Sequence, residues 1–277
     1  MDRFSKILRE ELEKYEDIKH REYFESEGIK ERDFVSVKGG EYPTYLRHKK
    51  RNVKVGDLFV SRYAVTQERY EEVMGKNPSN FKGKNRPVEM VTWEDCLHYC
   101  NELSKKNNLV PVYVFDGEEL SKIRYIDGTE VDLSEADFSK TEGYRLPLEI
   151  EWEWFACGGY PAIEKGNFDA TYSGSNEINN VAWIWDNGEK ETHEVGTKSP
   201  NDLGLFDCSG NVYEWCYDMF VGSPDVSLEK PYIYGSKGKH VLKGGSFYNA
   251  ASNCDLSYRE GNFIPTYYYG FRVVRSM

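Results

Sequence analysis

Residues 244–272 read GGSFYNAASNCDLSYREGNFIPTYYYGFR. The two ends are plain. Gly244-Gly245 marks a tight turn, and Gly270-Phe271-Arg272 leads into the strand-like FRVV. Between them stand five tyrosines among Asn, Ser and Asp, with little apolar rhythm. A tyrosine offers a large contact face with two rotatable angles and a hydroxyl at its tip, and Asn, Ser and Gly add adaptable hydrogen bonding. Antibody loops use this mixture. Such side chains have to stand off the core, on a backbone fixed by other contacts, and GGS and GFRVV are the expected anchors.

The rest of the chain sets limits on that reading. Its 277 residues allow one large domain or two small ones. Hydrophobic residues make up 39% and aromatics 15%, which predicts an aromatic-heavy, loop-rich core. A net charge of −11 argues against nucleic-acid and anionic-membrane partners, because phosphate-rich surfaces would repel it. No run of about 18 apolar residues is present, so no membrane span is expected. MDRFSKILREELEKYEDIKH is charged throughout and has no apolar signal core. That fits a cytoplasmic protein, and equally a chain trimmed of its export signal. The six cysteines (Cys96, Cys100, Cys157, Cys208, Cys216 and Cys254) show no zinc spacing and read as small buried hydrophobes.

Along the chain, Phe4, Leu8, Leu12, Tyr15 and Ile18 put an apolar stripe on a helix over 3–24, so 1–32 reads as a helical extension of a domain at 33–277. Residues 33–42 and 55–66 read as strands, with a basic turn between them. A short helix follows over 66–75, capped by Thr66 and closed by Gly75. The clearest helix is 92–109, with Thr92 as cap and Asp95 in the capping-box position. VPVYVF and KIRYIDGTEV form a hairpin within 110–140, turned at Asp127-Gly128. A second main helix runs over 147–159 between Pro147 and Gly158.

Seven blocks then coincide in order: RYAVTQERYEEVMG, RPVEMVTWEDCLHYCNEL, YRLPLEIEWEWFACGG, NVAW, VGTKSPNDLGLFDCSGNVYEWCYD, LKGGSF and GFRVV. Together they resemble the formylglycine-generating enzyme (sulfatase-modifying factor) family over about residues 33–277. The resemblance implies an α+β, C-type lectin-like fold with two main helices, twisted antiparallel sheets and much irregular loop.

Two functions compete within that resemblance. The family enzymes are oxidases that bind copper(I) through two cysteines five residues apart, shortly after GGS. Soft thiolates suit copper(I). Here the first position is Asn249 and the second Cys254, so one thiolate is missing and the copper-dependent, formylglycine-generating alternative is disfavoured. The other function is ligand binding without catalysis. The stretch also resembles the variable region of diversity-generating-retroelement proteins, the treponemal kind in particular, in which adenines are miscopied and Asn codons become Tyr, Asp, Ser, Gly, Phe or Ile. Tyr248, Asn249, Asn253, Asp255, Tyr258, Gly261, Asn262, Phe263, Ile264, Tyr267, Tyr268 and Tyr269 fit that substitution pattern, and Glu260 does not. GGSF, Cys254, Arg259, Pro265 and GFRVV would be the fixed scaffold, with the variable region spanning about 244–277.

The resemblance also implies structural calcium, though no cofactor is required for binding. Asp207 and Glu214 would supply carboxylates, and Gly210 and Val212 carbonyls. A second site would start at Asn180 and the carbonyl of Val181, with Glu191 or Thr192 completing it. Hard oxygen ligands in a loop suit that ion. The EPN and QPD triplets of sugar-binding lectins are absent. Glu149, Glu151 and Glu153 crowd the start of the second main helix, where Arg145 is the expected partner for one of them. Leu148 stands where the family usually has a capping Thr, a loss of about 1 kcal/mol. The expectation is a monomeric protein with a Tyr-rich site for a macromolecular ligand, most naturally another protein. Resemblance to the treponemal kind implies lipid-anchored display at the cell surface, with the cytoplasm as the alternative.

Overall fold

A computed structural model describes residues 34–44 and 51–277, apart from 223, 225, 228 and 229. The helix expected at 3–24 lies outside the described residues, as does most of the basic turn.

Four small sheets carry the architecture. The first sets β1 (Phe34–Val37) and β12 (Val274–Ser276) antiparallel on either side of β4 (Leu58–Ser61). The FRVV end of the chain is therefore held by β4, whose other edge carries the strand that opens the domain. The second sheet has the order β10-β9-β8-β11, from Glu260–Asn262, His240–Lys243, Tyr213–Met219 and Tyr269–Gly270. Sheets throughout were expected to be antiparallel, but β11 runs parallel to β8, with Tyr269 opposite Tyr213. Just before this pairing the Tyr268 carbonyl also accepts from the Tyr213 N–H (2.9 Å). β2 (Gly40–Thr44) and β3 (Arg51–Val55) form a ribbon.

The region expected to be one hairpin is a three-stranded sheet of β5 (Tyr113–Asp116), β6 (Glu119–Arg124) and β7 (Glu130–Asp132). Asp127-Gly128 turns β6 into β7 as expected. A second Asp-Gly pair, Asp116-Gly117, makes the other turn, with Gly117 at φ 62°.

Among the helices, α1 is Gln67–Met74 and α2 is Trp93–Lys106. The Thr92 hydroxyl accepts from the Asp95 N–H (3.0 Å), and the Asp95 carboxylate accepts from the Thr92 N–H (3.0 Å), so Asp serves in the capping box. α1 packs on α2 through Tyr70 and Tyr99, stacked at 5.4 Å, and the ring of Phe271 meets both edge-on. GFRVV is thus locked between the helices and β4.

α3 (Glu149–Ala156) has all eight residues buried, three glutamates included. Its cap, Leu148, offers no oxygen. The Glu151 carboxylate reaches back to the Leu148 N–H (2.8 Å), and Asp218 accepts from the Glu149 N–H (2.8 Å). Asp218 thereby offsets the loss expected at Leu148. Beyond the left-handed pair Gly158-Gly159 the chain continues as α4 (Gly159–Lys165), which the expected helix had not included. A further turn, α5, is Ile178–Val181. No described helix is long and apolar enough to cross a membrane.

Candidate functional site

The stretch 244–272 is gripped from beneath by buried groups. Gly245 sits at φ 72°, and a Cβ there would lie 2.4 Å from the Cys254 sulfur, so the glycine is required. Phe247, Cys254 and Leu256 face the core. Three buried cations complete the grip. Lys243 donates to the Leu256 carbonyl (2.7 Å). Arg259 pairs with both oxygens of Glu149 and donates to the Val221 carbonyl (3.0 Å). Arg272 pairs with both oxygens of Glu214 and donates to the carbonyls of Ser61 (3.0 Å) and Phe206 (2.8 Å). Bidentate pairs of this kind fix geometry, and removing one partner leaves a buried charge at a cost of about 3–5 kcal/mol.

Between these anchors, side chains turn outward. Tyr248 is 42% exposed, Phe263 61% and Ile264 50%. Asn262 accepts from the N–H groups of Phe263 (2.9 Å) and Ile264 (3.3 Å), a turn that presents both apolar side chains to solvent. Asn249, Asn253, Asp255, Tyr258, Asn262, Tyr267 and Tyr268 are half-buried. Tyr248 stacks on Tyr268 at 5.7 Å, and Tyr267 meets both edge-on at 5.6 and 5.1 Å. These three rings form one face. Tyr258 packs partly against the core, with its hydroxyl 3.4 Å from Glu260.

Two of the twelve proposed positions belong to the frame instead. Gly261 is buried in β10, and a Cβ on it would overlap the Phe220 ring at 2.2 Å. Tyr269 is 3% exposed, edge-on to Tyr213 and Trp215, and its hydroxyl accepts from Asn262 (2.9 Å). The β11 pairing buries it. Asn249 is intermediate: its side-chain oxygen accepts from the Ser246 hydroxyl, and its carbonyl from the Trp185 N–H (3.0 Å).

The face also includes side chains that sequence reasoning missed. Trp185 packs edge-on to Tyr248 at 5.1 Å, and Phe81 edge-on to Tyr267 at 5.9 Å. Met90, at φ 61°, donates its N–H to the Thr266 carbonyl (3.0 Å) and braces the stretch from a third segment. The signal available was a large aromatic in each of two polar loops, FKGKN and WDNGEK.

The residues present do not suit copper(I). Cys254 is fully buried, and burial pushes its thiol up to about 12, so it is neutral. The calcium ligands fit no better. Glu214, expected as a ligand, is taken by Arg272 and by the Trp152 indole N–H (2.7 Å). Arg86 holds Glu191 (2.9 Å) and the Thr192 carbonyl. Lys198 donates to the Asn179 carbonyl (2.8 Å), beside the exposed Asn180, whose own carbonyl accepts from Ser199. Val181 has its side chain in the core. Asp207 accepts from the Gly196 N–H (2.8 Å), leaving one buried oxygen unpartnered, and burial raises its carboxyl to about 6. Gly210 and Val212 flank Asn211, whose amide bonds the His193 N–H and carbonyl, both at 3.0 Å. The loops are therefore braced by side-chain cations and amides. The three glutamates of α3 are likewise taken up and share no cleft: Glu149 pairs with Arg259, Glu151, which lines a cavity alone of the three, pairs with Arg145, and Glu153 accepts from the Tyr42 hydroxyl (3.0 Å).

Comparison with known proteins matches residues 19–277 to the sulfatase-modifying factor enzyme 1-like domain. The chain belongs to that family. Within it, the chaperone protein LppX of Paenibacillus barcinonensis is 37% identical over 265 residues, 88% of this chain and 89% of that one. The formylglycine-generating enzyme of Streptomyces coelicolor is 33% identical over 132 residues, 43% of this chain and 40% of that one. Among solved structures, Treponema denticola variable protein 1 superposes with a TM-score of 0.71 at 30% identity, covering 88% of this chain and 95% of that one. The sulfatase-modifying-factor-like fold therefore extends across the described chain, and the proteins it is similar to include an enzyme, a variable protein and a chaperone.

Proposed function

We propose that this protein binds a macromolecular ligand through the outward-facing side chains of 244–272 and does not catalyse a reaction. One observation carries the reading. The stretch divides into buried residues with partners in the body of the protein, and outward residues whose rings share a face. A frame of that kind tolerates many side chains at the outward positions. An open face of tyrosines suits a protein surface better than a small molecule, which needs a concave pocket. Likeness to the treponemal variable protein supports diversification at Tyr248, Asn249, Asn253, Asp255, Tyr258, Asn262, Phe263, Ile264, Tyr267 and Tyr268. Resemblance to the treponemal kind also implies display at the cell surface on a lipid anchor. The reading needs no cofactor; the contacts of Arg272 with Glu214, Arg86 with Glu191 and Lys198 with the Asn179 carbonyl, in the loops where calcium was expected, support it. Incubation with copper and a cysteine-containing sulfatase peptide should yield no formylglycine, and turnover that depends on Cys254 would overturn the assignment.

Sequencing the gene from several isolates tests diversification. Substitutions should concentrate at the ten outward positions and spare Phe247, Cys254, Arg259, Gly261 and Tyr269. The LppX relative supports a second reading, a chaperone with one fixed aromatic surface. A uniform stretch across isolates would favour it.

A further inference from the structure

The chain has six tryptophans. Five donate their indole N–H inside the protein: Trp93 to the Cys216 carbonyl (3.0 Å), Trp152 to Glu214 (2.7 Å), Trp154 to the Lys38 carbonyl (2.9 Å), Trp183 to the Thr197 hydroxyl (2.9 Å) and Trp215 to the Val91 carbonyl (3.1 Å). Among the described residues, the Trp185 indole N–H has no acceptor, and the side chain is 43% exposed. A tryptophan placed for packing normally finds a partner for its N–H. One left on the surface keeps that donor for water or for a ligand.

The backbone at this position is also tied down by hydrogen bonds on both sides. The Trp185 N–H donates to the Asn249 carbonyl (3.0 Å), and the Asn187 side chain holds the preceding residue by accepting from the Ile184 N–H (2.7 Å). The ring meets Tyr248 edge-on, which continues the aromatic face through Tyr267 and Tyr268, and Lys190 lies 5.0 Å from its centroid. Preorganised aromatics of this kind lose little entropy on binding. Both cations of the stretch are buried, Arg259 on Glu149 and Arg272 on Glu214, so the charged groups it leaves outward, Asp255 and Glu260, are acidic. A neutral or basic partner suits that charge.

Resting on the proposed binding face, we infer that Trp185 is its constant anchor, outside the diversified stretch, and that it takes an extended polypeptide segment. The indole N–H accepts no role inside the protein; it donates to a main-chain carbonyl of the partner. The ring and Tyr248 pack against the adjoining side chain. Extended chain is the fitting class because a carbonyl already paired in the partner's own helix or sheet is a poor acceptor.

The test uses reduced, carboxamidomethylated ribonuclease A, a basic and permanently unfolded chain, with native ribonuclease A as control. In a spectrum of nitrogen-15-labelled indoles, the Trp185 signal is the one lost in Trp185→Phe. It should shift on adding the unfolded chain, and not with the native control. Trp185→Ala should weaken binding by about tenfold or more, as for an interface hot spot. Trp185→Phe, which keeps a ring and loses the donor, should fall between the two. Tyr234→Ala should change nothing, since that exposed residue lines a separate cavity with Phe138 and Tyr232. Unchanged binding by Trp185→Ala, with loss in Tyr248→Ala or Tyr268→Ala, overturns the anchor and leaves the face standing. No binding of the unfolded chain overturns the choice of an extended segment. Binding that none of the face substitutions affects overturns the face itself.

Discussion

Arg259 lies in the middle of the tyrosine-rich stretch, yet its burial predicts that it acts on folding and not on the ligand. Arg259→Ala removes a guanidinium that pairs with both oxygens of Glu149, whose side chain is 2% exposed. The carboxylate is then stranded, at a cost of about 3–5 kcal/mol. The same change removes a cation that lowers the pKa of Asp218, so the cap on α3 becomes harder to ionise. With a urea slope of about 2 kcal/mol per molar, the unfolding midpoint should fall by about 2 M. Tyr268→Ala removes a half-buried ring from a surface stack and should cost about 1 kcal/mol or less. The double variant Arg259→Met with Glu149→Leu removes both charges and should recover most of the loss, because the desolvation penalty disappears with the pair. Urea titrations followed by tryptophan fluorescence read all three. The reasoning is refuted if Arg259→Ala stays within about 1 kcal/mol of the parent, or if the double variant is as damaged as the single.

Two further outcomes follow from the same geometry. Burial first, and the nearby Glu149 second, raise the Asp218 carboxyl to about 8. Its folded pKa thus exceeds the unfolded value of about 3.9, so its contribution to stability is full below pH about 4 and is lost as pH rises towards 8. Asp218→Asn should flatten that slope while lowering stability overall by about 1 kcal/mol, through one lost backbone hydrogen bond; an unchanged pH profile would contradict the assignment. Because Arg272 and Arg86 fill the loops where calcium was expected, EDTA should leave the melting temperature unmoved, and a clear rise on adding calcium would contradict that bracing.

Much of the frame could be read from the sequence because its signals are local. The Thr92–Asp95 box, the Asp127-Gly128 turn and the Gly244-Gly245 turn each depend on neighbours a few residues apart. Among the partners of the α3 glutamates, Arg145 was readable because it lies six residues from Glu151, but Arg259 was not, since it pairs with Glu149 across 110 positions. Tyr267, Tyr268 and Tyr269 look equivalent in sequence. A two-residue parallel pairing with β8 buries the last and frees the others. Trp183 and Trp185 are likewise alike on paper, and only the fold shows that Thr197 meets one indole and solvent the other. The resemblance supplied Glu214 as a candidate calcium ligand but not its partner Arg272, which lies 58 positions away.

The most direct test of the account pits two libraries against each other under one selection for resistance to protease. The first randomises the ten outward positions from Tyr248 to Tyr268. The second randomises Phe247, Cys254, Leu256, Arg259 and Tyr269. If outward side chains carry little folding energy, most members of the first library should survive as well as the parent and almost none of the second should. Equal losses in both would contradict the central claim.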